Sequence, residues 1–104
     1  MKQFENVAIL LEGNSYFEGA VTSRTVIFSD GSKKTLGFML PGEYEFATNK
    51  SEVMDITSGN LRVLLPNATS WIDVKGGESF DVPANSKFKV DVKSVVDYCC
   101  SYIG

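Results

Sequence analysis

The segment of residues 76–92, Gly-Gly-Glu-Ser-Phe-Asp-Val-Pro-Ala-Asn-Ser-Lys-Phe-Lys-Val-Asp-Val, decides the fold of this chain. It predicts a glycine turn at residues 76–77, a short strand at 79–82, a Pro-Ala-Asn-Ser turn, and a second strand at 87–92 whose apolar residues alternate. We therefore expect a β-hairpin corner with the proline at its rim and the side chain of Phe88 pointing inward.

The composition is that of one folded domain. At 104 residues with 43% hydrophobic content, the chain can bury about 60–68% of its extended surface, which is enough for one core. Turn residues are spread along the chain rather than pooled in a linker. We expect a single domain over residues 1–104, with residues 1–13 forming an extra N-terminal strand or arm.

The charge balance bears on possible partners. A formal net charge of −3 and a pI near 4.8 leave no basic surface for a phosphate backbone, so we expect no nucleic-acid partner. No run approaches the roughly 18–20 apolar residues of a membrane span, and the N-terminus lacks the pattern of a secretory signal. We expect a soluble, cytoplasmic protein with no membrane partner.

The two cysteines, Cys99 and Cys100, are neighbours in the sequence. Side chains of neighbouring residues in a strand point to opposite faces, so a disulfide between these two would be strained. A redox or metal pair would favour a Cys-x-x-Cys spacing. We therefore expect two reduced thiols packed on a strand in a reducing compartment.

The remainder of the chain predicts strands and no helix. The Asp30-Gly31 pair marks a hairpin turn between two β-rich segments, and turn signals recur every eight to twelve residues. The predicted strands cover residues 7–11, 21–28, 33–40, 43–46, 52–57, 61–65, 71–74 and 95–103. This spacing indicates an antiparallel β-barrel or sandwich.

Two motifs resemble those of the cupin superfamily, which implies a cupin-type barrel (a double-stranded β-helix, or jelly roll). The segment of residues 77–88 resembles the second cupin motif, with Phe88 in the place of a histidine ligand. Gly37 followed by Glu43-x-Glu45 resembles the first, with both histidines replaced by glutamate. The motif's own glutamate would fall near residues 49–50, and Glu52 comes a few residues late. Since the chain has no histidine, we expect no transition-metal site.

A narrower resemblance covers nearly the whole domain. The segments 14–19, 42–46, 56–66, 80–83 and 98–102 are similar, in order, to successive blocks of the small bacterial pyrimidine/purine nucleoside phosphorylase family. The resemblance implies a metal-free and cofactor-free cupin enzyme, a homodimer, with broad specificity for purine and pyrimidine nucleosides. Such an enzyme uses inorganic phosphate as co-substrate and yields the free base and ribose 1-phosphate.

That reaction needs a group to hold phosphate. The predicted hairpin tip offers Ser32 and Lys33, with hydroxyls, ammonium groups and turn amides close together, and Arg62 offers a guanidinium elsewhere. A solvated hairpin tip with no function explains the same residues.

The reaction also needs groups for the sugar and the base. Glu43 would bind ribose hydroxyls or a base proton if it points inward, whereas the hydrophobic pattern favours Tyr44 as the inward residue; alternation alone leaves both open. Phe88, Tyr44 and Tyr98 are candidates for a base-stacking wall, although aromatic residues in a small barrel also serve as core. A non-catalytic cupin module that binds a sugar or nucleotide-like small molecule is the alternative function.

Overall fold

The computed structural model describes residues 3–103, which form two antiparallel β-sheets packed face to face. The strands are β1 (Ala8–Ile9), β2 (Asn14–Tyr16), β3 (Val21–Ile27), β4 (Lys33–Met39), β5 (Gly42–Ala47), β6 (Ser51–Ser58), β7 (Asn60–Leu64), β8 (Ile72–Lys75), β9 (Glu78–Val82), β10 (Lys87–Val92) and β11 (Val96–Ile103). Helical structure within residues 3–103 is limited to one 3₁₀ turn at Phe17–Gly19. The expected all-β, cupin-type fold is confirmed.

The larger sheet has seven strands and the smaller has four. The strand order in the larger sheet is β1-β3-β4-β11-β6-β9, with β2 also paired to β3. The strand order in the smaller sheet is β5-β10-β7-β8. Strand β11 lies at the centre of the larger sheet, between β4 and β6. Strand β10 lies between β5 and β7 in the smaller one.

Alternation along the strands explains the core. In β10, Phe88, Val90 and Val92 are buried, and Lys87 and Lys89, which alternate with them, are exposed. Because successive side chains of a strand point to opposite faces, this pattern turns one apolar row toward the facing sheet. Strands of both sheets contribute to one hydrophobic cluster between them, and each fully buried side chain of this size contributes roughly 1.5–3 kcal/mol.

The segment 76–92 contains both predicted strands, but they do not form a hairpin. Strand β9 pairs with β6 in the larger sheet, and β10 pairs with β5 and β7 in the smaller one. The turn between them therefore crosses from one sheet to the other. Buried Thr48 holds this crossing, because its hydroxyl donates to the Pro83 carbonyl at 2.7 Å and accepts from the Ser86 amide at 3.1 Å.

The hairpin predicted around Asp30-Gly31 is confirmed. Strands β3 and β4 pair antiparallel with Ile27 opposite Lys33. Gly31 adopts φ +88°, a left-handed conformation that suits glycine. The amide of Ser32 and its hydroxyl both donate to the Asp30 carboxylate, at 2.8 and 2.6 Å.

The N-terminal segment runs along the edge of the larger sheet. Strand β1 pairs with β3, with Ala8 opposite Ile27. The Arg24 guanidinium, on the same strand β3, donates a hydrogen bond to the Leu11 carbonyl. The first two residues of the expected arm lie outside the described part of the chain.

Both cysteines are free and buried, and they occupy opposite faces of β11, as predicted. Cys100 belongs to the cluster between the sheets. Across residues 3–103, the structure has no helix with the length and apolarity that a membrane span requires.

Candidate functional site

A cavity of about 220 Å³ lies between the two sheets and is the candidate site. Its polar lining comes from the larger sheet and consists of Tyr16, Ser23, Thr35, Glu52, Tyr98, Cys100 and Tyr102. The smaller sheet contributes Phe46, Ala47 and Phe88, which carry no polar side-chain group. The cavity therefore has one polar and one apolar wall.

The apolar wall is built from phenylalanine rings that pack against one another. Phe46 and Phe88 lie opposite each other on paired strands, with ring centroids 5.6 Å apart and planes at 35°. Phe17 meets Phe46 edge-on at 5.7 Å, and Phe80 meets Phe88 at 6.0 Å. These contacts hold the two rings in place, so the wall is a rigid apolar surface for a flat ligand.

The polar wall follows from the strand register. Glu52 of β6 lies opposite Tyr102 of β11, and Thr35 of β4 lies opposite Cys100. Hydrogen bonds link the group, because the Thr35 and Tyr102 hydroxyls are 3.2 Å apart and the Cys100 thiol donates to the Glu52 carboxylate at 3.5 Å. Four side chains from three strands thus form one cluster.

Burial sets the protonation states of this wall. It raises the pKa of Glu52, an effect that the hydrogen bond from Cys100 partly opposes. Burial also raises the pKa of Cys100 and Tyr102, each to about 12, and that of Tyr98. At neutral pH the thiol and the phenols are therefore uncharged hydrogen-bond donors, and Glu52 is the one carboxyl group among the described lining residues.

A close approach of two strands positions Tyr98. Tyr98 lies opposite Gly37, and its hydroxyl donates to the Thr22 carbonyl on the next strand at 2.9 Å. A Cβ atom at position 37 would lie 1.7 Å from that carbonyl oxygen. Glycine at position 37 therefore lets the Thr22 carbonyl turn toward the Tyr98 hydroxyl.

Three aromatic candidates from the sequence have different positions. Phe88 and Tyr98 both line the cavity. Tyr44 is buried in the core, where its hydroxyl donates to the Leu40 carbonyl at 2.7 Å and its ring packs 4.9 Å from Phe17. Tyr44 is absent from the cavity lining because its hydroxyl points back toward the Leu40 carbonyl, in the turn before β5.

Of the two orientations that alternation leaves open for β5, the structure has Tyr44 inward and Glu43 outward. Glu43 and Glu45 are exposed on β5, whereas Tyr44 is buried between them. The hydrophobic pattern, which favoured an inward Tyr44, therefore outweighs the motif alignment, because an aromatic side chain gains more from burial than a carboxylate does. Glu43 lies on the outer face of the smaller sheet.

The three candidates for phosphate binding, Ser32, Lys33 and Arg62, are not brought together in the cavity. Arg62 is on the outer face of the smaller sheet, where its guanidinium lies 5.5 Å above the Trp71 ring. Ser32 is at the exposed hairpin tip, bonded to Asp30. Lys33 is also exposed. It starts β4 two residues before Thr35, so its side chain projects from the same face of the sheet as that of Thr35, the face that lines the cavity.

Glu52 is one of the cavity-lining residues that the sequence does not single out as a candidate, and Thr35, Phe46 and Tyr102 are others. In the sequence Glu52 is only a late match to a metal-binding motif, yet it faces the same side of β6 as buried Met54 and Ile56. The alternation Glu52-x-Met54-x-Ile56 is a signal that could have identified it as inward-facing. Within residues 3–103, no group of three His, Cys, Asp or Glu side chains is placed to hold a metal ion.

A second, open groove of about 620 Å³ lies across the other face of the larger sheet. It runs between that face and the N-terminal segment, and Ile9, Leu36 and Phe38 expose 36–47% of their surface there. We place the candidate site in the smaller cavity, because that is where buried ionisable groups meet an aromatic wall.

Comparison with known proteins identifies relatives of the whole chain. The family model for pyrimidine/purine nucleoside phosphorylase matches residues 11–102. A protein of that name from Sulfurovum sp. (strain NBC37-1) is 71% identical over 99% of this chain and 100% of its own length. Another, from Geotalea uraniireducens (strain Rf4), is 62% identical over 99% of each chain.

Solved structures support the fold. A crystal structure of a protein of unknown function from Acinetobacter sp. ADP1 is 42% identical, with a TM-score of 0.94 over 97% of this chain and 98% of that one. The cupin domain of Schizosaccharomyces pombe Cnp3 is 14% identical, with a TM-score of 0.63 over 89% of this chain and 69% of that one. The second likeness concerns the fold alone.

Proposed function

Since the chain belongs to the pyrimidine/purine nucleoside phosphorylase family, we propose that it cleaves purine and pyrimidine nucleosides with inorganic phosphate. In this reaction the bond from C1′ to the base nitrogen breaks, and its electron pair leaves with the base, which takes up a proton. A phosphate oxygen bonds to C1′, so the products are the free base and ribose 1-phosphate. The transfer is that of a pentosyl group.

The observation that carries the proposal is the pairing of an apolar aromatic wall with a polar wall across one cavity. Phe46 and Phe88 offer a flat surface but no hydrogen-bond donor or acceptor. Every nucleobase has a π face, and a surface that only stacks does not read base edges. Broad specificity for the base follows.

The opposite wall suits the sugar. Tyr98, Tyr102 and Thr35 present hydroxyl groups, and burial keeps both phenols uncharged at neutral pH. Stacking the base against the phenylalanines directs the ribose toward these hydroxyls. Cleavage builds positive charge on the sugar, which fixed dipoles in a desolvated site stabilise.

Phosphate needs a cation, and Lys33 is the candidate that we propose. The side chain of Lys33 is exposed, and it projects from the cavity-lining face of the larger sheet at the start of β4. A flexible, exposed lysine can attract an anion without holding it too tightly for attack. Ser32 beside it offers a hydroxyl, whereas Arg62 lies on the far side of the smaller sheet.

We further propose that the reaction needs no metal ion or organic cofactor. The chain has no histidine, and Glu52 is the one carboxyl group among the described lining residues. This donor set suits neither a transition metal nor Mg²⁺. Turnover should be unchanged after treatment with EDTA, and a loss that added metal restores would refute this part.

A cytoplasmic homodimer completes the proposal. The exposed apolar side chains of Ile9, Leu36 and Phe38 cover the outer face of the larger sheet, where a second copy of the chain could pack. Light scattering coupled to size-exclusion chromatography should give a mass near twice the 11.4 kDa of one chain. A monomer mass would refute the dimer.

The test is incubation of the purified protein with uridine, adenosine or inosine, with and without phosphate. We expect release of base only when phosphate is present. No turnover with any of the three would instead favour a non-catalytic module that binds a sugar or nucleotide-like molecule. Lys33→Ala should lower turnover at least tenfold, an order-of-magnitude expectation for one charge contact.

Lys87→Ala is the matched control for Lys33→Ala. Lys87 is also an exposed lysine at the start of a strand. Because the next residue, Phe88, points inward, the Lys87 side chain projects from the outer face of the smaller sheet. Both variants remove one exposed ammonium group. If the two lower turnover equally, the effect is one of overall charge and Lys33 has no place in the site.

A further inference from the structure

We propose that Glu52 accepts hydrogen bonds from the ribose hydroxyl groups of the bound nucleoside and thereby selects the sugar. The inference rests on the proposed function, because it takes a nucleoside as the ligand of the cavity. It assigns sugar recognition to one carboxylate on β6. Base recognition is left to the phenylalanine wall.

The first support is the position of Glu52. Its side chain projects from β6 into the space between the sheets, on the same face as Met54 and Ile56. The facing apolar wall consists of Phe46 and Phe88. If the base of a nucleoside stacks on those rings, its sugar is the part of the molecule that can reach the Glu52 carboxylate.

The second support is that the carboxylate has few partners. Within residues 3–103 its one hydrogen bond comes from the Cys100 thiol to Oε1 at 3.5 Å, and thiols are weak donors. It takes part in no ion pair of the described chain. A half-buried carboxylate normally collects several strong donors, because desolvation is costly. This one keeps most of its acceptor capacity for a ligand.

The third support is chemical complementarity. An ionised carboxylate has two acceptor oxygens and no donor, and the adjacent 2′ and 3′ hydroxyls of ribose are two donors. The nearby hydroxyl pair of Thr35 and Tyr102 can take the remaining sugar oxygens. A negative charge beside the ribose also favours the positive charge that develops on the sugar during cleavage.

The partners of Glu52 determine its protonation state. Burial raises the pKa of the Glu52 carboxyl group and so disfavours its charged form. Hydrogen bonds donated by the sugar favour its charged form and oppose that shift.

The experiment pairs substrate hydroxyls with the side chain. We would measure kcat/KM for uridine, 2′-deoxyuridine and 3′-deoxyuridine in the wild-type protein and in Glu52→Ala. In the wild type, at least one deoxy analogue should be about tenfold worse than uridine, the size expected for a hydrogen bond to a charged group. In Glu52→Ala that difference should shrink to about threefold or less.

Two further variants serve as controls. Glu45→Ala removes an exposed carboxylate from the outer face of the smaller sheet and should keep the wild-type ratios. Glu52→Gln keeps the shape of the side chain and one acceptor oxygen. It should change the ratio in the same direction as Glu52→Ala but by less, even if the alanine variant folds poorly.

The outcomes separate the inference from the function on which it rests. An equal loss on all three substrates in Glu52→Ala would overturn the inference, because the carboxylate would then act on the base or on the fold. Unchanged activity would also overturn it. No turnover by the wild type would refute the proposed function, and calorimetric titration with the same three compounds would then test sugar recognition alone.

Discussion

Replacing Gly37 by alanine should destabilise the fold, because at no other described glycine would a new Cβ lie so close to a backbone atom. An alanine Cβ at this position would lie 1.7 Å from the Thr22 carbonyl oxygen and 2.7 Å from its carbon. Both atoms belong to the backbone of β3, so no side chain can rotate to relieve the clash. The two strands must separate by more than an ångström, since ordinary contacts begin at 3.4 Å.

The size of the effect follows from three contributions. Forcing a methyl group into packed structure costs about 1–3 kcal/mol. Moving the Thr22 carbonyl also breaks its hydrogen bond from the Tyr98 hydroxyl, which contributes about 1 kcal/mol. The lower backbone entropy of alanine in the unfolded chain returns about 0.4–1 kcal/mol. We expect a net loss of about 2–3 kcal/mol, or roughly 10–20 °C in Tm.

Urea unfolding followed by circular dichroism is the assay, with Gly13→Ala as the matched control. At position 13 the new Cβ meets its nearest atoms at 3.2 Å, and two of these belong to the flexible Arg24 side chain. The control should therefore stay within about 0.5 kcal/mol of the wild type. A Gly37→Ala protein as stable as the control would refute the close approach of β3 and β4.

Three further predictions concern Tyr98, Glu52 and the two cysteines. Tyr98→Phe removes the donor to the Thr22 carbonyl and should cost about 1 kcal/mol in urea unfolding; an unchanged midpoint would contradict that bond. Burial raises the pKa of Glu52 in the folded protein above its ordinary value of 4.5. The folded protein therefore keeps this proton to a higher pH than the unfolded chain does, and its stability falls as pH rises through the folded-state pKa. Glu52→Gln should lack this fall in unfolding midpoints measured from acid to neutral pH, and parallel curves for the two proteins would disprove it. Both cysteines are buried with raised pKa values, so neither thiol should react with a disulfide reagent at neutral pH until the protein is denatured; rapid native labelling would oppose this.

Local pattern was enough to predict most of the strands. The apolar alternation of residues 87–92 marks β10 with its observed bounds and an inward Phe88, and the Asp30-Gly31 pair marks the β3–β4 turn. Side-chain direction within a strand depends only on residue parity, which can be read from the chain itself. The same reasoning places Cys99 and Cys100 on opposite faces. Sequence similarity alone identified the family.

Tertiary structure decided which strands meet and which side chains share the cavity. Strands β9 and β10 are separated by one short turn yet belong to different sheets, because each finds its partners far along the chain. The choice of Tyr44 over Glu43 as the inward residue depended on the apolar surface across the core. Glu52 lies beside Tyr102 in the cavity lining because of the register between β6 and β11. Parity is a local property of the backbone, whereas the neighbours across a core are set by contacts between distant segments, which a single strand does not encode.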